Sequence, residues 1–91
     1  MTGRSEIERE ILDFVKREIL PRAGGLTAES DLVAEGFDSL SLVNLLLFIE
    51  KKFGVWIPEK AIGQSAIASV RNLAETVCRH LDDSETLHER H

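Results

Sequence analysis

The sequence predicts an all-α fold, a small four-helix bundle of three main helices and one short one. Three observations carry this. Apolar residues recur at helical spacing in three separate stretches, and proline and glycine punctuate the gaps between them. No internal repeat or low-complexity segment interrupts the pattern. Ninety-one residues make one domain (1–91), with a helical core over about residues 5–81 and room for a single hydrophobic centre.

The first helix is predicted over about residues 5–19. Ser5 and Glu8 stand three apart, the spacing of a capping box in which each side chain bonds the other's backbone amide. Ile7, Ile11, Phe14 and Val15 follow at helical spacing, and Pro21 with Gly24 and Gly25 stops the element. Residues 20–38 form a connection long enough to suggest function, with one possible turn over 27–32. Leu26, Leu32, Val33 and Phe37 are its expected anchors in the core.

The second helix is predicted over residues 39–53, with Asp38 or Ser39 as its N-cap and Gly54 ending it. Leu42, Leu45, Leu46, Ile49 and Phe53 fall on one face, the expected core stripe. Leu40, Val43 and Leu47 fall on a second stripe, and Phe48 fits neither. A helix apolar on two faces in so small a domain offers one of them to a partner.

Pro58 holds Val55-Trp56-Ile57 extended, and residues 59–64 can form one short helix ended by Gly63. Alternation about Ile57, the expected core residue, turns Trp56 outward, toward a partner, a bound molecule or the short helix. Ser69 is a good N-cap for a last helix over about 70–81, with Val70, Leu73, Ala74, Val77 and Leu81 as its stripe. Cys78, at the border of that stripe, is expected to act as a small hydrophobe. From Asp82 onward the chain is polar, and residues 82–91 are expected to fray.

Charge and composition remove several classes of function. Sixteen acidic against eleven basic residues give a net charge of −5, a poor match to nucleic acid or an anionic membrane. The run from Leu45 to Ile49 is far too short to span a bilayer, and no signal peptide opens the chain. A lone cysteine permits no intrachain disulfide, so a reducing, cytoplasmic location is the expectation. The chain is also expected to be a monomer.

Gly36-Phe37-Asp38-Ser39-Leu40 stands at the entrance of the two-faced helix. Alone it reads as an ordinary helix cap. With Asp31-Leu32 before it, Ser41-Leu42-Val43, Ile49-Glu50 and Phe53-Gly54 within and after the helix, and Ile57-Pro58 beyond, the chain resembles the acyl carrier protein family. The resemblance is carried by residues 31–58 and extends in pattern over about 5–81.

The resemblance implies that Ser39 accepts 4′-phosphopantetheine from coenzyme A through a phosphopantetheinyl transferase. The arm's thiol then holds an acyl or aminoacyl group as a thioester. Asp38 matches the residue that helps the transferase organise metal and coenzyme. Physical chemistry agrees, since the free N–H groups and positive dipole end of a helix suit a phosphodiester, and Gly36 eases the incoming turn. Leu40, Val43 and Leu47 match the family's apolar docking positions, and Glu50 an acidic one. The chain departs from the fatty-acid type at Ser41, Asn44, Lys51 and Lys52, where acidic residues are usual.

The implied function is a discrete (type II) carrier of acyl or aminoacyl thioesters in a secondary-metabolite, polyketide or nonribosomal-peptide-type pathway. Its partners would be an activating enzyme and downstream tailoring or condensing enzymes. A carrier for primary fatty acid synthesis is the alternative within the class, and a helical interaction module the alternative outside it. No catalysis is expected of the chain itself. An activated serine needs a positioned base, and His80, His88 and His91 all lie near the C-terminal end. Glu85 and Glu89 beside the last two make a poor metal site, so none is expected.

Overall fold

The computed structural model describes residues 3–63 and 65–89, with side chains as far as Leu81. Among them the chain is helical, without strands. The first helix, α1, spans Arg4–Phe14 and runs on into a single π turn, Val15–Ile19. Gly3, extended at φ −85° and ψ 164°, is its N-cap, and no side chain caps it. The Ser5–Glu8 capping box therefore does not form. The helix starts one residue earlier than predicted, which puts Ser5 inside the first turn, and Glu8 turns instead to Arg71 at 3.9 Å.

The π turn closes on a bond from the Leu20 amide to the Val15 carbonyl at 2.7 Å. Ile19 and Leu20, at the end of that turn, both pack partly buried against the core. Leu20 then lies 3.7 Å from where a Cβ on Gly36 would sit. The end of α1 is thus packed beside the entrance to the next helix.

The second helix, α2, spans Ser39–Phe53, with the predicted bounds, and ends at Gly54 in the left-handed conformation (φ 73°, ψ 20°). The short helix expected over 59–64 is replaced by two 3₁₀ turns, Glu59–Ala61 and Ala66–Ala68. Ile62 is already extended (φ −98°, ψ 105°) and ends the first of them. The last helix, α3, spans Val70–Glu89, well past its predicted end at residue 81. No glycine or proline follows Gly63 to stop it. The side chains of the predicted tail, His88 among them, and His91 lie outside the described residues.

One core joins the elements. Ile7, Ile11 and Val15 meet Val70, Leu73, Ala74 and Val77, and α2 contributes Leu42, Leu45, Leu46 and Ile49. The predicted stripes thus face inward, with Phe53 and Leu81 partly buried at the edge. Each fully buried Val, Leu or Ile side chain contributes about 1.5–3 kcal/mol. Phe48 leaves the two-stripe scheme because it stacks on Phe14, centroids 4.2 Å apart, and meets Phe53 edge-on at 6.5 Å. Cys78 is half-buried against this core. Thr76, buried on α3, donates to the Asn72 carbonyl at 3.1 Å.

The long connection is stitched to the start of α3. The Leu32 amide donates to the Ala68 carbonyl at 3.1 Å and the Arg71 amide to the Ala28 carbonyl at 2.9 Å. The Arg71 guanidinium holds Glu29 at 2.8 Å. Leu26, Leu32 and Phe37 anchor the loop as predicted, but Val33 does not, being 55% exposed. The Leu32 carbonyl accepts from both Glu35 and Phe37 amides, which turns Leu32 and Phe37 inward together and Val33 out. No helix among the described residues is long and apolar enough to cross a membrane.

Candidate functional site

The entrance to α2 is built by a sequence of local constraints. Asp31 Oδ1 accepts from the Ala34 amide at 3.2 Å and starts a turn that Gly36 completes at φ 109°, a conformation costly for a side-chain-bearing residue. Phe37 is then buried as a plug, and Asp38 follows in extended conformation as the N-cap. Its Oδ1 accepts from the Ser41 amide at 2.9 Å and from the Ser41 hydroxyl at 3.0 Å. Those bonds, the amide first, hold the Asp38 carboxyl below the usual carboxylate range.

Because Asp38 is the cap, Ser39 is the first helical residue. Its side chain is exposed, and none of the side-chain hydrogen bonds among the described residues engages its hydroxyl. The amides of the first turn have no partner within the helix, and the helix dipole is positive there. A phosphodiester oxygen suits that setting electrostatically. An open cleft of about 520 Å³ adjoins the serine, lined by Asp31, Val33, Phe37, Asp38, Leu42, Ile67 and Ala68. Exposed hydroxyl, positive helix end and adjoining cleft together fit a phosphate-linked arm.

The other residues singled out by sequence divide into two groups. Leu40, Val43 and Leu47 are brought together on one exposed face of α2, at 69%, 37% and 51% exposure. Glu50 is exposed on the edge of that face. Trp56 is also exposed, at 51%, while Ile57 is fully buried, as alternation predicts, but the Gly54 turn separates it from α2. His80 lines a different cleft, with Ser65 and Arg79, away from Ser39.

Sequence reasoning missed three contributors to the cleft. Val33 was expected inside. Ile67 and Ala68 come from a 3₁₀ turn that no periodicity announces, and the Asn72 side chain fixes that turn by donating to the Ser65 carbonyl at 2.7 Å. Only the clustering of small and apolar residues over 66–68 hinted at it.

A family model described as a phosphopantetheine attachment site matches residues 9–77. The chain is 34% identical over 76 residues to an aminoacyl carrier protein of Agrobacterium fabrum (strain C58), a match that covers 76% of this chain and 92% of that protein. It is 32% identical over 78 residues to an acyl carrier protein of Amoebophilus asiaticus, covering 78% of this chain and 98% of the relative. Among solved structures it is similar to a chain of the Bradyrhizobium japonicum glycine:[carrier protein] ligase complexed with glycylated carrier protein. That likeness has a TM-score of 0.59 and 29% identity, and covers 80% of this chain and 96% of the other.

Proposed function

The chain belongs to the carrier-protein family defined by a phosphopantetheine attachment site, and from that premise we propose that Ser39 bears the arm and that the cargo is an aminoacyl group. When bound, 4′-phosphopantetheine supplies a terminal thiol on a flexible tether, which holds the cargo as a thioester. The observation that carries the assignment is the release of Ser39 from helix capping. Asp38 does that work, so the serine hydroxyl stands exposed where a transferase can reach it.

The chain's own part is positioning. Asp38 fixes the first turn of α2, the amides of that turn favour the negative phosphodiester, and the cleft flanks the attachment point. Asp38 directs its capping oxygen at Ser41 rather than at Ser39, so the serine has no activating base there, and the transfer belongs to a separate phosphopantetheinyl transferase. The chain is a non-catalytic carrier that raises the effective concentration of its cargo at each partner.

The aminoacyl cargo is supported by the name of the Agrobacterium relative and by the glycine ligase in the similar Bradyrhizobium complex. An amino-acid-activating ligase is accordingly the loading partner. The near-neutral α2, with Lys51 and Lys52 at its end, supports service in a specialised pathway rather than primary fatty acid synthesis, with tailoring or condensing enzymes downstream. The similar Amoebophilus acyl carrier keeps an acyl cargo as the second reading.

Intact mass after incubation with a broad-specificity transferase and coenzyme A tests the site. A gain of one arm, absent in Ser39→Ala, is the expected result. Charging the loaded chain with radiolabelled amino acids or acyl groups by their activating enzymes then decides the cargo.

A further inference from the structure

The cap of α2 holds more than capping requires. An aspartate N-cap does its work by accepting from a backbone amide two or three residues on. Asp38 Oδ1 accepts the Ser41 amide at 2.9 Å and, on the same oxygen, the Ser41 hydroxyl at 3.0 Å. The cap of α3 has only the first of these bonds. In the same register Asn72 gives its amide to the Ser69 hydroxyl at 3.2 Å, but its side chain turns away to the Ser65 carbonyl. The second bond is thus a feature of the helix that has Ser39 as its first residue.

The extra donor matters because of what the carboxylate would otherwise reach. Asp38 and Ser39 are neighbours in the chain, both are exposed, and both line the same cleft. A carboxylate accepts strongly from a hydroxyl, and Ser39 carries one that no side chain among the described residues engages. Two donors from half-buried Ser41, converging on one oxygen, hold Asp38 over the third residue of the helix instead. No cation lines the cleft to draw the carboxylate elsewhere. Asp31 is the other titratable group there, and its Oδ1 is spent on the Ala34 amide.

We infer that Ser41 is a positioning residue for attachment of the arm: its hydroxyl keeps the Asp38 carboxylate off Ser39 and so leaves the Ser39 oxygen free to attack. The inference rests on the carrier reading of Ser39 and adds a residue that acts on it through Asp38. Attachment forms a bond from the Ser39 oxygen to the pantetheine-side phosphorus of coenzyme A. The pyrophosphate bond breaks, the adenosine bisphosphate leaves, and the hydroxyl proton passes to the transferase. A Ser39 hydroxyl bonded to Asp38 would have to be released first. The same Ser41 bonds hold the Asp38 carboxyl below the usual range, which makes it too weak a base to offset that delay.

The test compares wild type, Ser41→Ala and Ser41→Thr as substrates of one broad-specificity transferase with coenzyme A. Ser41→Ala removes the hydroxyl, keeps the amide bond and puts a strong helix former in the helix, so the fold is retained; a thermal melt checks this. Its kcat should fall roughly three- to tenfold, with KM for the carrier held within about twofold. Ser41→Thr, which restores the donor, should recover the wild-type kcat. In the same chains without the arm, NMR couplings should show one Asp38 χ1 rotamer in wild type and Ser41→Thr, and averaging in Ser41→Ala. An unchanged kcat in Ser41→Ala, a loss carried by KM, a threonine variant as slow as alanine, or a fixed Asp38 rotamer in Ser41→Ala would each overturn the inference. A wild-type chain that gains no arm would sink the carrier reading and this inference with it. Normal loading of both wild type and Ser41→Ala would sink this inference alone.

Discussion

Ser39 and Ser69 both stand at the start of a helix, one residue apart in register. Ser69 is the N-cap of α3, extended at φ −156° and ψ 162°, and its hydroxyl accepts from the Asn72 amide at 3.2 Å. Ser39 comes one step later, because Asp38 has taken the capping position of α2. A serine at the cap is consumed by its own helix, whereas a serine behind an aspartate cap is left available to another molecule. The two helices differ in the same sense along their length. As far as Leu81, α3 turns its apolar residues toward the core in one stripe, and α2 keeps Leu40, Val43 and Leu47 outside.

The sharpest way to break that comparison is to exchange the losses. Ser39→Ala should abolish the mass gain from coenzyme A completely and leave the melting temperature unchanged within error. Next in size are the two stripes of α2. Leu45→Ala, at a fully buried position, should cost about 2–5 kcal/mol in urea unfolding, while Leu40→Ala should stay within about 0.5 kcal/mol. Ser69→Ala should cost about 1 kcal/mol by the same measurement and leave arm transfer intact. Transfer lost in Ser69→Ala would show that the serines are not divided as described.

The smallest effect is that of pH on the cap. The folded Asp38 carboxyl is held below its unfolded value by the Ser41 amide and hydroxyl, so its contribution is fully present above the ordinary carboxylate range. That contribution is lost as pH falls through the lower, folded value. Asparagine also caps but carries no charge, so the stability difference between wild type and Asp38→Asn should hold above the ordinary carboxylate range and shrink as pH falls below it, through the lower folded value. A difference that stays constant would mean that the carboxylate's charge adds nothing at the cap.

What could be read from the chain beforehand follows the range of the forces involved. The bounds of α2, its aspartate cap, its glycine end and its two faces come from contacts within a few residues, and sequence spacing reports those directly. The same holds for Ser69 as a cap and for the stop at Pro21. Ser5 misled because a capping signal competes with simple extension of the helix, and nothing at Arg4 opposed extension. The Phe14–Phe48 stack depends on a partner far away in the chain, whereas the π turn and the outward turn of Val33 rest on local bonds that no apolar periodicity announces. For the same reason Ser39 was legible as a candidate, while the wall of its cleft at Ile67 and Ala68 was not.

The stitching of the long loop to α3 bears on the thermodynamics of docking. Leu32 and Arg71 already spend their amides on Ala68 and Ala28, and Glu29 is already clamped by the Arg71 guanidinium. An enzyme that approaches Ser39 meets a loop with its conformational entropy removed in advance, at folding. Association then requires little further ordering of the carrier, and a contact of modest area can suffice for brief, repeated visits. In the proposed carrier role, the freedom that delivery needs is thus confined to the arm, with Ser39 as a fixed post.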